Sequence, residues 1–134
     1  MIPSWGRGQW AALFSCTQPI ELDAGDVLIQ PRHVDRALFF VASGRLEVAT
    51  TSEADSSVGA LSVVPPGSVV GELAFFDGGP RSAKVWAVTP TRLLKLSLAD
   101  YERYAGEHPA DARAFLFAMG RLLAIRLRNT TARI

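Results

Sequence analysis

The chain has 134 residues, 49% of them hydrophobic and 20% charged, with a formal net charge of +1. That length suits one domain with a real core rather than two, and the near-neutral balance argues against a protein built to coat a phosphate polymer. The lone cysteine, Cys16, makes no internal disulfide, and neither a signal-peptide order nor a membrane-length apolar run is visible, so a cytoplasmic setting is expected.

In chain order, residues 9–14 predict a short helix. From residue 20 to 97 the sequence reads as short β-like runs broken by turn residues. Leu22 leads into Asp23-Ala-Gly-Asp26, a turn with glycine where φ can be positive. Val27 to Ile29 follows, then a polar break over residues 30–36. Leu38, Phe39, Phe40 and Val41 form an apolar run that stops at Ser43-Gly44. Leu46, Val48 and Thr50 alternate with Arg45, Glu47 and Ala49, the period of a half-buried strand. Residues 51–57 are polar and predict a hairpin tip, and 58–64 are another strand closed by Pro65-Pro66-Gly67. Residues 83–88 and 92–96 predict a last pair of strands joined at Thr89-Pro90-Thr91. Strands at this spacing predict a small antiparallel barrel or sandwich. Ser97 is placed to cap a helix through Tyr101 and Tyr104, and Pro109 suits the first turn of a final helix over 110–133. The apolar residues of that helix, among them Phe115, Leu116, Met119, Leu122, Leu123, Ile125 and Leu127, cover more than one stripe. Its late arginines read as a solvated face near a helix C-terminus, and Gly120 interrupts it at about 1 kcal/mol relative to alanine, which close helix–helix approach would offset.

The chemistry concentrates in residues 69–88, Val-Val-Gly-Glu-Leu-Ala-Phe-Phe-Asp-Gly-Gly-Pro-Arg-Ser-Ala-Lys-Val-Trp-Ala-Val. A helical turn over 72–76, opened by Gly71, offers unpaired backbone N–H groups and lets a ligand approach without a Cβ in the way. Gly78-Gly79-Pro80 turns the chain back and should bring Arg81 toward that helix start. Arginine grips a phosphate with two parallel hydrogen bonds at any working pH, while an ionised Glu72 accepts only and suits a sugar hydroxyl. The plain alternative is that Glu72 and Arg81 form an ion pair on a loop surface, worth at most about 1 kcal/mol.

Gly71-Glu72-Leu73-Ala74 followed by Pro80-Arg81-Ser82-Ala83 resembles the phosphate-binding cassette of cyclic-nucleotide-binding domains, the family of catabolite-activator-type transcription factors, protein kinase A regulatory subunits and cyclic-nucleotide-gated channels. Asp23-Ala-Gly-Asp-Val-Leu-Ile looks like the family's early strand pair. Leu38-Phe-Phe-Val-Ala-Ser-Gly-Arg-Leu-Glu-Val resembles its central strand–Gly–strand run, so the likeness spans roughly residues 13–127. It implies a mainly β fold with flanking helices: an eight-stranded antiparallel β-roll (a jelly-roll-like double-stranded β-helix) over about 18–97, with a helical part over 98–134 ending in a long helix. It also implies roles. Arg81 would clamp the cyclic phosphate and Glu72 would accept from the ribose 2′-OH beside the Gly71 amide. Ala74 and Ser82 would donate amides to the phosphate, with Leu73 and Ala83 completing the cassette. Thr130 and Thr131 fall where the catabolite-activator branch has a Thr-Ser pair touching adenine. cAMP is the expected ligand, with cGMP possible because Ser82 allows either purine. In the turn over 30–36, Arg32 and His33 stand where the family carries a glycine and an acid that positions the arginine, and Asp35 is the candidate substitute for that acid.

Two histidines far apart in sequence, His33 and His108, and no nucleophile–base pair predict neither a metal site nor catalysis. The expected partners are the cyclic nucleotide, a second copy through the last helix and, by way of output, a separate effector protein. The chain ends at Ile134, where the helix-turn-helix of the transcription factors begins, so no direct nucleic-acid or membrane contact is expected of these residues. The alternatives are a ligand-free interaction or dimerisation module of the same fold, or the sensory part of a DNA-binding regulator.

Overall fold

The computed structural model describes residues 2–51 and 58–132, the side chains of 51, 58–61 and 130–132 excepted. In chain order the elements are α1 (Arg7–Phe14), β1 (Gln18–Leu22), β2 (Val27–Ile29), β3 (Ala37–Ser43), β4 (Leu46–Thr51), β5 (Val58–Val64), β6 (Val69–Val70), α2 (Glu72–Asp77), β7 (Ala83–Ala87), β8 (Thr91–Ser97), α3 (Leu98–Glu107) and α4 (Pro109–Ala132). They fall into two compact units, Thr17–Leu98 and the two end segments Met1–Cys16 with Ala99–Ile134.

The unit Thr17–Leu98 is an eight-stranded antiparallel β-roll of two sheets, ordered β1-β8-β3-β6 and β2-β7-β4-β5. Among the described residues, β4 and β5 are the only successive strands that pair with each other, Leu46 facing Val64 and Val48 facing Ser62. Every other connection carries the chain from one sheet to the other. The expected pairing of residues 83–88 with 92–96 is therefore corrected. Both edges of β7 are already taken, by β2 on one side and β4 on the other, and the Gly25 and Ala87 amides lace its end to the turn over 23–26. β8 instead fills the slot between β1 and β3, with Ile20 and Val41 both opposite Leu93. The early strands β1 and β2 divide between the sheets in the same way.

Period-two patterning explains the core. Ala37, Phe39 and Val41 alternate along β3 and meet Val70 and Leu93 of their own sheet and Ile29, Leu46, Val85 and Ala87 of the other in one buried cluster. Burying a side chain such as Leu46 or Leu93 contributes roughly 1.5–3 kcal/mol. Gly44 is required where β3 gives way to β4. Its φ is 89°, and a Cβ there would collide with the Pro90 carbonyl oxygen. The expected hairpin tip over 52–57 lies outside the described residues.

The other unit is helical. Trp5 meets Trp10 edge to face and Trp10 stacks on Phe14, with ring centroids 4.7 and 5.5 Å apart. Leu13, Tyr101, Tyr104, Ala112, Phe115 and Met119 are buried. The Tyr101 hydroxyl donates to the Ala112 carbonyl at 2.8 Å, tying α3 to α4. Pro109 opens α4, as its missing N–H and fixed φ favour. Cys16 is a half-buried free thiol. A Cβ at Gly120 would meet nothing within 4 Å, so nothing in the described chain crowds that glycine. No described helix is long and apolar enough to cross a membrane.

Candidate functional site

The site is built where β6 hands the chain to α2 and the chain returns to β7. β6 ends at Val70 and is followed by Gly71, which adopts a left-handed conformation (φ 79°) and caps the start of α2. Side-chain space as well as backbone demands glycine here. A Cβ on Gly71 would lie 2.7 Å from Nη1 of Arg81 and 3.3 Å from the Ala37 carbonyl oxygen. α2 ends at a second left-handed glycine, Gly78, whose amide donates to the Ala74 carbonyl at 3.0 Å. Oδ1 of Asp77 then accepts from the Gly79 amide at 2.7 Å and turns the chain toward Arg81.

Arg81 is buried, at 5% exposure, and its guanidinium is held on several sides. Nε and Nη2 donate to the two carboxylate oxygens of Asp35 at 2.9 and 2.8 Å. Nη2 also donates to the Ala37 carbonyl at 2.7 Å and Nη1 to the Gly71 carbonyl at 2.8 Å. The cation lies 5.9 Å from the centre of the Phe39 ring. These four bonds engage four of the five N–H donors a guanidinium owns. An unpaired charge in this position would cost several kcal/mol, and the bidentate carboxylate is what offsets that. By contrast Arg92 and Glu21 pair at 3.1 Å with both side chains 72% exposed, an arrangement worth at most about 1 kcal/mol.

Asp35 is thus the acid that holds the arginine. The hydrogen bond from Arg81 lowers its carboxyl pKa against the opposing effect of desolvation, and the charges of Arg81, His33 and Lys95 add to the lowering. The turn over 30–36 is also stitched to Arg81 through the backbone. The Arg32 amide donates to the Arg81 carbonyl at 2.7 Å, and the Arg81 amide to the His33 carbonyl at 2.8 Å. Arg32 itself has φ 69°, among the described residues the only non-glycine with positive φ. It stands where the family resemblance places a glycine, and its positive φ is one that glycine adopts most readily.

The expected residues fall into place unevenly. Arg81 reaches the Gly71 carbonyl, so the two halves of the cassette meet directly. Glu72, at 7% exposure, opens α2, and Ala74 is buried two residues on. The reading of Glu72 and Arg81 as a surface ion pair is corrected, since both side chains are buried and Arg81 pairs with Asp35. Leu73 and Ser82 are exposed, and Ala83 is half-buried at the start of β7. Thr130 and Thr131 lie in the last turns of α4, with side chains outside the description. No group of three metal-ligating side chains occurs among the described residues.

One contributor escaped the sequence reading. Arg36 donates from Nε and Nη2 to the Phe75 carbonyl at 3.1 and 2.9 Å, and from Nη2 to the Phe76 carbonyl at 2.7 Å. It thereby satisfies the C-terminal carbonyls of α2, which lack partners within the helix. An arginine in a polar turn carries no pattern that announces such a partner.

The profile of the family described as "Cyclic nucleotide-binding domain" matches residues 19–108. The "CRP-like cAMP-activated global transcriptional regulator" of Mycobacterium tuberculosis is 26% identical over 120 residues, covering 90% of this chain and 51% of that protein. A cyclic nucleotide-gated potassium channel of Mesorhizobium japonicum is 34% identical over 92 residues, covering 69% of this chain and 24% of that protein. The chain therefore spans about half the length of the first relative and a quarter of the second. Among solved structures, the catabolite activator protein of Thermus thermophilus superposes with a TM-score of 0.86 at 27% identity, covering 98% of this chain and 60% of that one.

Proposed function

The chain belongs to the cyclic nucleotide-binding domain family, and from that premise we propose that it is a regulatory sensor, not a catalyst, whose ligand is a cyclic mononucleotide, cAMP first and cGMP second. The observation that carries the reading is the buried guanidinium of Arg81 fixed against the Gly71 turn. A charge kept out of water and aimed by four bonds is preorganised for one anionic group, so little is lost in ordering it on binding. The second Nη1 hydrogen would meet a ring phosphate. The amides of the first turn of α2, which have no acceptor four residues back, would complete the cradle, and the exposed Ser82 would add its hydroxyl or amide. Glu72 would accept from the ribose 2′-OH, and the sugar would keep the carboxylate apart from the phosphate.

Titration calorimetry with cAMP and cGMP tests this. Arg81→Ala should lose about 2–3 kcal/mol of binding free energy with its charge-assisted contact, and Glu72→Ala less. Equal affinities for wild type and Arg81→Ala would remove the site. Ligand at about 100 times its Kd should stabilise the wild type by about 2.7 kcal/mol in a thermal shift.

A second reading has its own support. With four donors already satisfied inside the chain, Arg81 is also suited to be a structural strut in a ligand-free interaction module. Absence of a shift with any cyclic nucleotide, together with severe destabilisation in Arg81→Ala, would favour it. In either case we propose that α4 mediates homodimerisation, motivated by Phe117 at 74% and Ile125 at 55% exposure. A monomeric mass by light scattering at micromolar concentration would count against that. The relatives' length supports a further proposal, that the chain is the sensory portion of a longer regulator.

A further inference from the structure

We propose that Arg36 is a positioning residue for the ligand, holding the carboxyl end of α2 while its neighbour Asp35 holds Arg81 at the amino end. The inference rests on the reading that α2 and Arg81 receive the nucleotide. α2 has six residues, far too few for a helix to be stable by itself, so its placement is set by the burial of Ala74 and Phe75 and by what grips its two ends. At the amino end the Gly71 carbonyl accepts from Arg81 at 2.8 Å. At the carboxyl end the Phe75 and Phe76 carbonyls accept three bonds from Arg36 at 2.7 to 3.1 Å.

Both grips originate in two adjacent residues. Asp35 and Arg36 immediately precede β3, and one reaches Arg81 while the other reaches the far end of α2. The Arg36 backbone is itself anchored, its carbonyl accepting from the Leu98 amide at 2.9 Å. Its side-chain stem lies against the closing turn, with Cδ and Nε 3.5 Å from where a Gly78 Cβ would be. Without Arg36 the helix would keep its amino-end attachment and its buried Ala74 and Phe75 but lose the hold on its carboxyl end, and the resulting tilt would re-aim Glu72 and the first-turn amides relative to Arg81. A displacement near 1 Å suffices to spoil such contacts.

The test is cAMP titration calorimetry on wild type, Arg36→Ala and Arg36→Lys, with hydrogen exchange read at the Gly78 amide. Arg36→Ala should bind about ten-fold more weakly, with faster Gly78 exchange that saturating cAMP slows again. Lysine brings the charge without the planar fork, so Arg36→Lys should recover part of the affinity. Wild-type binding with an unchanged Kd in Arg36→Ala would overturn the inference, as would equal losses in both variants with Gly78 exchange unaltered. Should the alanine variant fail to fold, Arg36→Gln takes its place, and a wild-type Kd there is again contrary. If wild type binds no cyclic nucleotide, the ligand reading falls and this role with it, and the wild-type titration alone tells that case from the others.

Discussion

Gly71→Ala separates backbone strain from side-chain collision. The substitution places a Cβ 2.7 Å from Nη1 of Arg81 and forces alanine to φ 79°. A left-handed conformation costs a non-glycine residue about 1–2 kcal/mol. A clash with the tip of a long side chain is ordinarily relieved by swinging the tip away. Here the tip is fixed by bonds to Asp35, Ala37 and Gly71, so moving it forfeits at least the Gly71 contact, worth about 1.5–3 kcal/mol for a charged donor. The expected total is about 3–4 kcal/mol. Gly25 supplies the control. Its φ is 93° and a Cβ there meets nothing within 4 Å, so Gly25→Ala should show the backbone cost alone. Any gain from restricting the unfolded chain is common to both positions and cancels in the difference. Urea denaturation of the two variants should therefore differ by about 2 kcal/mol. In the Arg81→Ala background most of that excess should vanish, because the nearest colliding atom is gone and only the 3.3 Å approach to the Ala37 carbonyl oxygen remains. Equal destabilisation at the two glycines, or an excess that persists undiminished without Arg81, would refute the placement of the guanidinium.

Arg32→Gly relieves a positive φ at a non-glycine residue and should raise stability by about 1 kcal/mol, seen as a higher melting temperature. Asp35→Asn leaves a buried guanidinium without its counter-charge and should cost about 1–3 kcal/mol in urea denaturation. Because the Asp35 carboxyl is held below its ordinary 3.8, its stabilisation is present above that pH and is lost as pH falls through the lower folded value. Below pH 4 the wild type should lose stability more steeply than Asp35→Asn, and parallel curves would contradict the pairing. Tyr104 is fully buried and its hydroxyl has no hydrogen-bond partner among the described residues, so Tyr104→Phe should be neutral or stabilising by about 1 kcal/mol. Burial, with Asp111 and Cys16 adding, pushes the Tyr104 phenol up to about 12 from 10.0. Wild-type stability should then fall between pH 10 and 12 by an amount absent from the phenylalanine variant.

Much of the roll was legible because its strands follow local rules. The Leu46–Val48 alternation, the turn at Asp23-Ala-Gly-Asp26 and the helix start at Gly71 each follow from side-chain periodicity or a glycine's freedom. The junction of Gly71 with Arg81 was legible too, since Gly78-Gly79-Pro80 leaves the chain little choice but to double back. Sheet membership was not. The segment 89–91 looks like a hairpin turn, and only the prior claim of β2 and β4 on both edges of β7 sends β8 elsewhere. β6, at two residues, is shorter than any period that could reveal it. Asp35 could be named as a substitute acid, but its partner 46 positions away could not be read locally. Arg32 could be matched to a glycine position only through the resemblance, since its own side chain gives no sign of a positive φ. Arg36 gave no signal because its acceptors are backbone carbonyls, which every residue has.

The way the sheets are laced has a consequence for synthesis. β1 pairs with β8, Gln18 opposite Lys95 and Leu22 opposite Thr91, so the first strand made has no mate until nearly the whole roll has left the ribosome. Among the described strands, only the β4–β5 ribbon can zip as it emerges. A nascent chain halted midway would expose the unpaired rims of β1 and β3, which invites pairing with other copies. Refolding should accordingly be slow for a protein of this size, since its last seam joins segments that lie far apart along the polymer.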